Sequence, residues 1–90
     1  MMKLLPREIR TRMKNVTSSK VGKFLREYEL MLEDKDKFIL ENMFYYKRSA
    51  MNTAIKLTGY TEKGILYRLD NIIIKNNYDE FIDFLNSIEN

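Results

Sequence analysis

Asp34 and Asp36 stand two residues apart in the run Glu33-Asp34-Lys35-Asp36, the spacing of the first two carboxylate ligands of a calcium loop. The glycine and the closing glutamate that such a loop needs do not follow at the required distances, so the run reads as a solvated helix boundary. Other carboxylates fall outside the apolar contexts that would raise a pKa for general acid work or pair them for glycoside hydrolysis. The chain has no cysteine and no histidine. Their absence removes thiolate and imidazole metal sites, cysteine nucleophiles and every catalytic pair built on an imidazole. No glycine-rich phosphate loop is present. The sequence therefore points away from an enzyme and away from a bound cofactor.

The remaining chemistry is contact chemistry. Phe44-Tyr45-Tyr46-Lys47-Arg48 interleaves aromatic and basic side chains, the composition of a base-stacking platform. On a regular helix, adjacent rings point in different directions, so one or two of the three must be core. The net charge of +3 hides a segregation. Residues 1–26 carry Lys3, Arg7, Arg10, Arg12, Lys14, Lys20, Lys23 and Arg26 against Glu8 alone, for +7. Residues 27–41 carry −4, residues 42–76 carry +4 and residues 77–90 carry −4. Two basic blocks that converge in space would present a strongly positive face; the opposite reading is neutralisation by the acidic segments at 27–41 or 77–90.

The elements that must position these groups are helices. Ninety residues hold one core, and burying only about 60 to 65% of the unfolded surface leaves such a chain marginal, so a homodimer or bound partner would add stability. Three glycines and one proline leave long uninterrupted elements, and the expected fold is all-α, a bundle of about five helices in a single domain with a basic N-terminal segment at 1–18. Met1 to Leu5 is too short and too interrupted by Lys3 for a signal-peptide core. No apolar run approaches the roughly 18 residues of a membrane span. A cytoplasmic protein with no membrane partner is expected.

Pro6 favours a first helical turn, and the basic stretch after it is either a short helix or an arm that orders on a polyanion. Ser18 or Ser19 is placed to cap a helix of roughly four turns with Val21, Phe24, Leu25, Tyr28, Met31 and Leu32 on its buried stripe. Asp34 or Asp36 can cap a third helix carrying Phe38, Ile39, Asn42, Met43 and Tyr46 on one face; its continuity with the second is open. After a polar hinge at Lys47, Arg48 and Ser49 come a short helix with Ala50, Met51, Ala54 and Leu57, a helix from Thr61 with Ile65, Leu69, Ile72 and Ile73 inward, a stop at Asn76 and Asn77, and a last helix with Phe81, Ile82, Leu85 and Ile88 inward.

The most specific signal is TAIKLTGYTEKGILYRL, Thr53 to Leu69. A helix-turn-helix needs a small residue where its helices cross, an apolar residue one turn later, a turn glycine and an apolar inner face on the second helix. Ala54, Leu57, Gly59, Tyr60, Ile65 and Leu69 occupy those roles, with Thr58 as one extra turn residue. Gly59 suits the left-handed position past a helix end. Gly64, costly inside a helix, would make sense where two helix backbones approach closely. The same apolar residues would also be core in any helical bundle, and Tyr60 also reads as a core aromatic.

Residues 35–76, with DKFILENMFYY, AMNTAIKLTGY and TEKGILYRLDNIIIK in turn, resemble the sigma-70 region 4-like helix-turn-helix of small phage transcriptional regulators of the ArpU and RinA type. NTAIKLTGYTEKG is also similar to the N-terminal helix-turn-helix of phage terminase small subunits, with Leu57-Thr58 standing where one residue is usual. The resemblance implies that the helix from Thr61 enters the major groove of double-stranded DNA. Thr61, Glu62, Lys63, Leu66, Tyr67 and Asp70 would then reach base edges, Lys63 addressing guanine acceptors and Leu66 a thymine methyl. Lys47, Arg48, Asn52, Lys56 and Arg68 would sit against phosphates, joined by Arg7, Arg10, Arg12 and Lys14. Against this, Lys47 and Arg48 also read as a solvated hinge, and a phosphate backbone repels Glu62. The alternatives are a protein-binding helical module that grips RNA polymerase or another regulator without DNA, and a role in DNA packaging.

Overall fold

A computed structural model describes residues 4–28, 32–76 and 78–89. Among these, six α-helices and no strands make an all-α bundle: α1 (Pro6–Lys14), α2 (Ser18–Glu27), α3 (Asp34–Leu40), α4 (Ala50–Lys56), α5 (Glu62–Asn71) and α6 (Tyr78–Glu89). Two of them run on into a wider π-type turn, α3 through Glu41–Tyr45 and α5 through Ile72–Asn76. No helix of the described residues is long and apolar enough to cross a membrane.

The basic stretch after Pro6 is a helix rather than an arm. Pro6 supplies the first turn, Glu8 accepts from the Leu5 amide at 3.0 Å, and Ile9 and Met13 bury one side. Apolar residues one turn apart suffice to seat even this very polar segment against α6 and the π-turn after α3. The second helix is shorter than its stripe suggests. It begins after Thr17, not at a serine cap; Ser18 instead donates to the Tyr45 carbonyl at 2.6 Å. It ends at Tyr28, and Met31 lies outside the described residues. Extended backbone at Glu33 then separates α2 from α3, so the two are distinct. Glu33, not Asp34 or Asp36, occupies the cap position, without a side-chain capping hydrogen bond, and Asp36 turns inward from the first turn to accept from Arg68.

The face of α3 also departs from simple helical spacing. Ile39, Asn42, Met43 and Phe44 are buried while Tyr46 is 52% exposed. In the π-type turn, Tyr46 donates to the Glu41 carbonyl, five residues back rather than four. The widened turn lags the α-helical phase, so Phe44 takes the inward place that regular spacing gives to Tyr46. Lys47, at φ 59, closes the helix in the left-handed region.

One continuous core holds the elements together, with Ile9, Val21, Ile39, Phe44, Ile65, Leu69, Ile73 and Phe81 fully buried. On α6, Phe81 and Leu85 lie inside and Ile82 and Ile88 are half-buried, while Phe84 joins an aromatic cluster with Phe24. Asn77, expected to stop α5, lies outside the described residues.

Candidate nucleic-acid interface

α4 and α5 form the most extensive contact between any two elements. Ser49 caps α4 by accepting from the Asn52 amide at 3.1 Å, and Thr61 caps α5 by accepting from the Gly64 amide at 3.0 Å. Between them Leu57, Thr58, Gly59 and Tyr60 form a turn closed by the Tyr60 amide on the Leu57 carbonyl at 3.3 Å, with Gly59 at φ 88 in its third position. A positive φ there is what a type II turn demands, so Gly59 serves the turn rather than the helix cap. Gly64 has a different reason from the expected approach of two backbones: a Cβ would meet the capping hydroxyl of Thr61 at 3.3 Å. Ala50, Thr53 and Ala54 on α4 face Ile65 and Leu69 within the core. Thr53 keeps its buried hydroxyl satisfied by donating to the Ser49 carbonyl at 2.9 Å.

The outward side of the motif carries Asn52 and Lys56 on α4 and Thr61, Glu62, Lys63 and Tyr67 on α5, all exposed. Leu66 is half-buried and lines a hollow of about 250 Å³ with Arg7, Arg10, Lys14 and Glu62. The basic helix α1 therefore lies beside the first turns of α5. Arg12 lines a separate hollow with Val16, Lys20, Leu85 and Ile88, away from the motif.

Several of the expected phosphate contacts have internal partners. Arg68 donates from Nε to Asp36 Oδ1 at 2.7 Å and from Nη2 to Glu33 Oε2 at 3.0 Å, tying α5 to the start of α3. The hydrogen bond to Asp36 is the main cause that holds its guanidinium above the ordinary value, against some desolvation. Arg10 Nε and Asp70 Oδ1 sit 3.0 Å apart as an ion pair without hydrogen-bond alignment. Asp70, expected at a base edge, thus faces α1. Arg48 donates to Asn42 Oδ1 and stacks on Tyr46 at 4.6 Å. Lys47 donates to the Val16 carbonyl and, at 3.5 Å, to that of Met13, while Lys14 donates to the Arg48 carbonyl at 2.8 Å. Residue type predicted charge but not partner; every one of these contacts spans 31 residues or more except those of Arg48 with Asn42 and Tyr46.

Burial pushes both lysine amines below their ordinary 10.5, and Lys14 adds like-charge repulsion at Lys47. A folded pKa below the unfolded one means that the unfolded chain binds more protons in the window between them, so stability rises with pH there. Urea unfolding at stepped pH should show the native chain gaining stability relative to Lys47→Gln as pH climbs from neutrality past 10.5. Parallel curves would remove the assigned shift.

Met51, placed with Ala50, Ala54 and Leu57 by its spacing, is 56% exposed; Tyr67 is 70% exposed as a base-edge candidate must be, and Ile55, which no pattern singled out, is 76% exposed. Met51 and Ile55 stand at i, i+4 on α4, one position past the buried Ala50 and Ala54, so the apolar residues of this short helix divide between its buried and exposed sides. No family model, curated protein or solved structure matches this chain.

Proposed function

We propose that the protein binds double-stranded DNA through α4, its turn and α5, as a small transcriptional regulator of the phage or mobile-element kind. The observation that carries this reading is the juxtaposition of Arg7, Arg10 and Lys14 with Glu62 and Leu66 around one hollow. A positive helix beside the first turns of α5 gives a near-neutral recognition helix the phosphate attraction it lacks. The outward Lys63 and Tyr67 supply side chains for base edges, and Lys56 a further phosphate contact. Arg68 and Arg10 act in this arrangement by fixing α5 rather than by touching the duplex.

Fluorescence anisotropy with mixed-sequence duplexes across a salt series tests it. Binding should weaken as salt rises, and Arg7→Ala should reduce the log-log slope by about 0.9 for one lost phosphate contact. Lys63→Ala should instead narrow the difference between preferred and random duplexes by about 1 kcal/mol or more. No salt-dependent binding to any duplex at low ionic strength overturns the proposal.

A second reading, a helical module that grips RNA polymerase or another regulator, is favoured by Met51, Ile55 and Tyr67, whose exposed apolar area on the motif resembles interface composition. Capture of a partner that survives nuclease and is lost with Ile55→Asp distinguishes it.

A further inference from the structure

Away from the motif, α2, α3 and its π-type turn enclose an open hollow of about 290 Å³, lined by Gly22, Arg26, Lys37, Glu41, Tyr45 and Tyr46 among others. The widened turn puts two adjacent tyrosines on the same exposed side, which a regular helix would not do. Their rings stand 5.0 Å apart at 82°, forming a right-angled aromatic corner. Gly22 makes room for it: a Cβ there would lie 3.2 Å from the Tyr45 ring. Ser18 fixes the backbone beneath by donating to the Tyr45 carbonyl, and the Arg48 guanidinium braces the Tyr46 ring. The corner is thus held in place by groups that have no part in the core.

We infer that this hollow binds a guanine nucleotide, either free or as an unpaired residue of a single strand. A flat base can lie face-on to one tyrosine and edge-on to the other, the two arrangements that aromatic quadrupoles favour. Arg26 and Lys37 bring positive charge to the rim for the 5′-phosphate. Glu41 is the selective element. A carboxylate would repel the phosphate of any ligand placed at random, but it accepts well from two donors side by side. Guanine offers N1–H and the 2-amino group in that arrangement, whereas uracil presents one N–H between two acceptors and adenine a single amino group. The volume is close to the lower end for small-molecule sites, which suits one nucleotide and no more. This site is independent of the duplex-binding surface.

Amide chemical-shift mapping on the full chain, with 5′-GMP, 5′-UMP and inorganic phosphate as probes, provides the test. GMP should give saturable shifts centred on Gly22, Glu41, Tyr45 and Tyr46 at millimolar concentration, and UMP and phosphate should give weaker ones. Tyr46→Ala, at an exposed position, should weaken GMP about tenfold or more while leaving the remaining spectrum intact. Glu41→Gln should erase the preference for GMP over UMP. A short single-stranded oligonucleotide with one guanine separates the sources: stronger binding than GMP assigns the site to a strand, equal or weaker binding to the free nucleotide. Equal responses to GMP, UMP and phosphate, or GMP shifts that map to α5 instead, overturn the inference. A duplex that shifts α5 and leaves these residues unmoved tests the DNA reading separately.

Discussion

Phe81→Ala is expected to lower the unfolding free energy by about 3 to 5 kcal/mol, the cost of truncating a fully buried aromatic ring. The site has little scope to collapse around the void. Phe81 lies 5.0 Å from Phe24, whose ring also meets Phe84 at 4.5 Å and Tyr28 at 4.8 Å, so the cluster joining α6 to α2 loses its innermost member. A small domain is stable by about 5 to 15 kcal/mol in total, and a short chain sits toward the lower end. The variant should therefore populate unfolded chain at moderate temperature. Urea titration should show a midpoint displaced far downward with the slope preserved. A loss below about 1 kcal/mol would mean that α6 is peripheral to the core.

Asp36→Ala is the second large effect, at about 2 to 3 kcal/mol. Breaking a buried pair by removing one partner costs about 3 to 5 kcal/mol, and the smaller figure reflects the exposure of Arg68, whose side chain is 34% accessible against 10% for Asp36. Glu33, 77% exposed, is the weaker partner of the same guanidinium, and Glu33→Ala should cost less than about 1 kcal/mol. A double-mutant cycle with Arg68→Met should return most of the Asp36 loss as coupling. If Asp36→Ala and Glu33→Ala prove equal, the assigned ranking of the two carboxylates is wrong. Asp36, through Arg68, ties the C-terminal half of α5 to the start of α3, beside the second tie that Asp70 makes to Arg10 on α1.

The all-α bundle and its helix-turn-helix were legible because their signals are local. Ala54, Ile65 and Leu69 are buried at the spacing that placed them, and Thr61 caps the helix it precedes. What the sequence concealed was long-range or depended on phase. Asp36 read as a candidate cap at a solvated helix boundary, and its partner Arg68 stands 32 residues on. The π-type turn after α3 exchanged Tyr46 for Phe44 in the core, and no apolar repeat announces the extra residue in that turn. The basic N-terminal block found part of its compensation in Asp70, which lies outside both acidic segments named in the reading of internal neutralisation. Charge counting gave the sign of the block and could not give its partners.

The crossed pair at the hinge has one more implication. Lys14 reaches from α1 to the carbonyl of Arg48, and Lys47 reaches back from the hinge to the carbonyl of Val16. Each segment thus satisfies the backbone of the other, and α1 cannot peel away without unlacing the approach to α4. The two should open to solvent as one cooperative unit, not fray in succession. Linkage is reciprocal, so anything that grips α1 tightens the start of the helix-turn-helix by the same free energy that the hinge lends to α1.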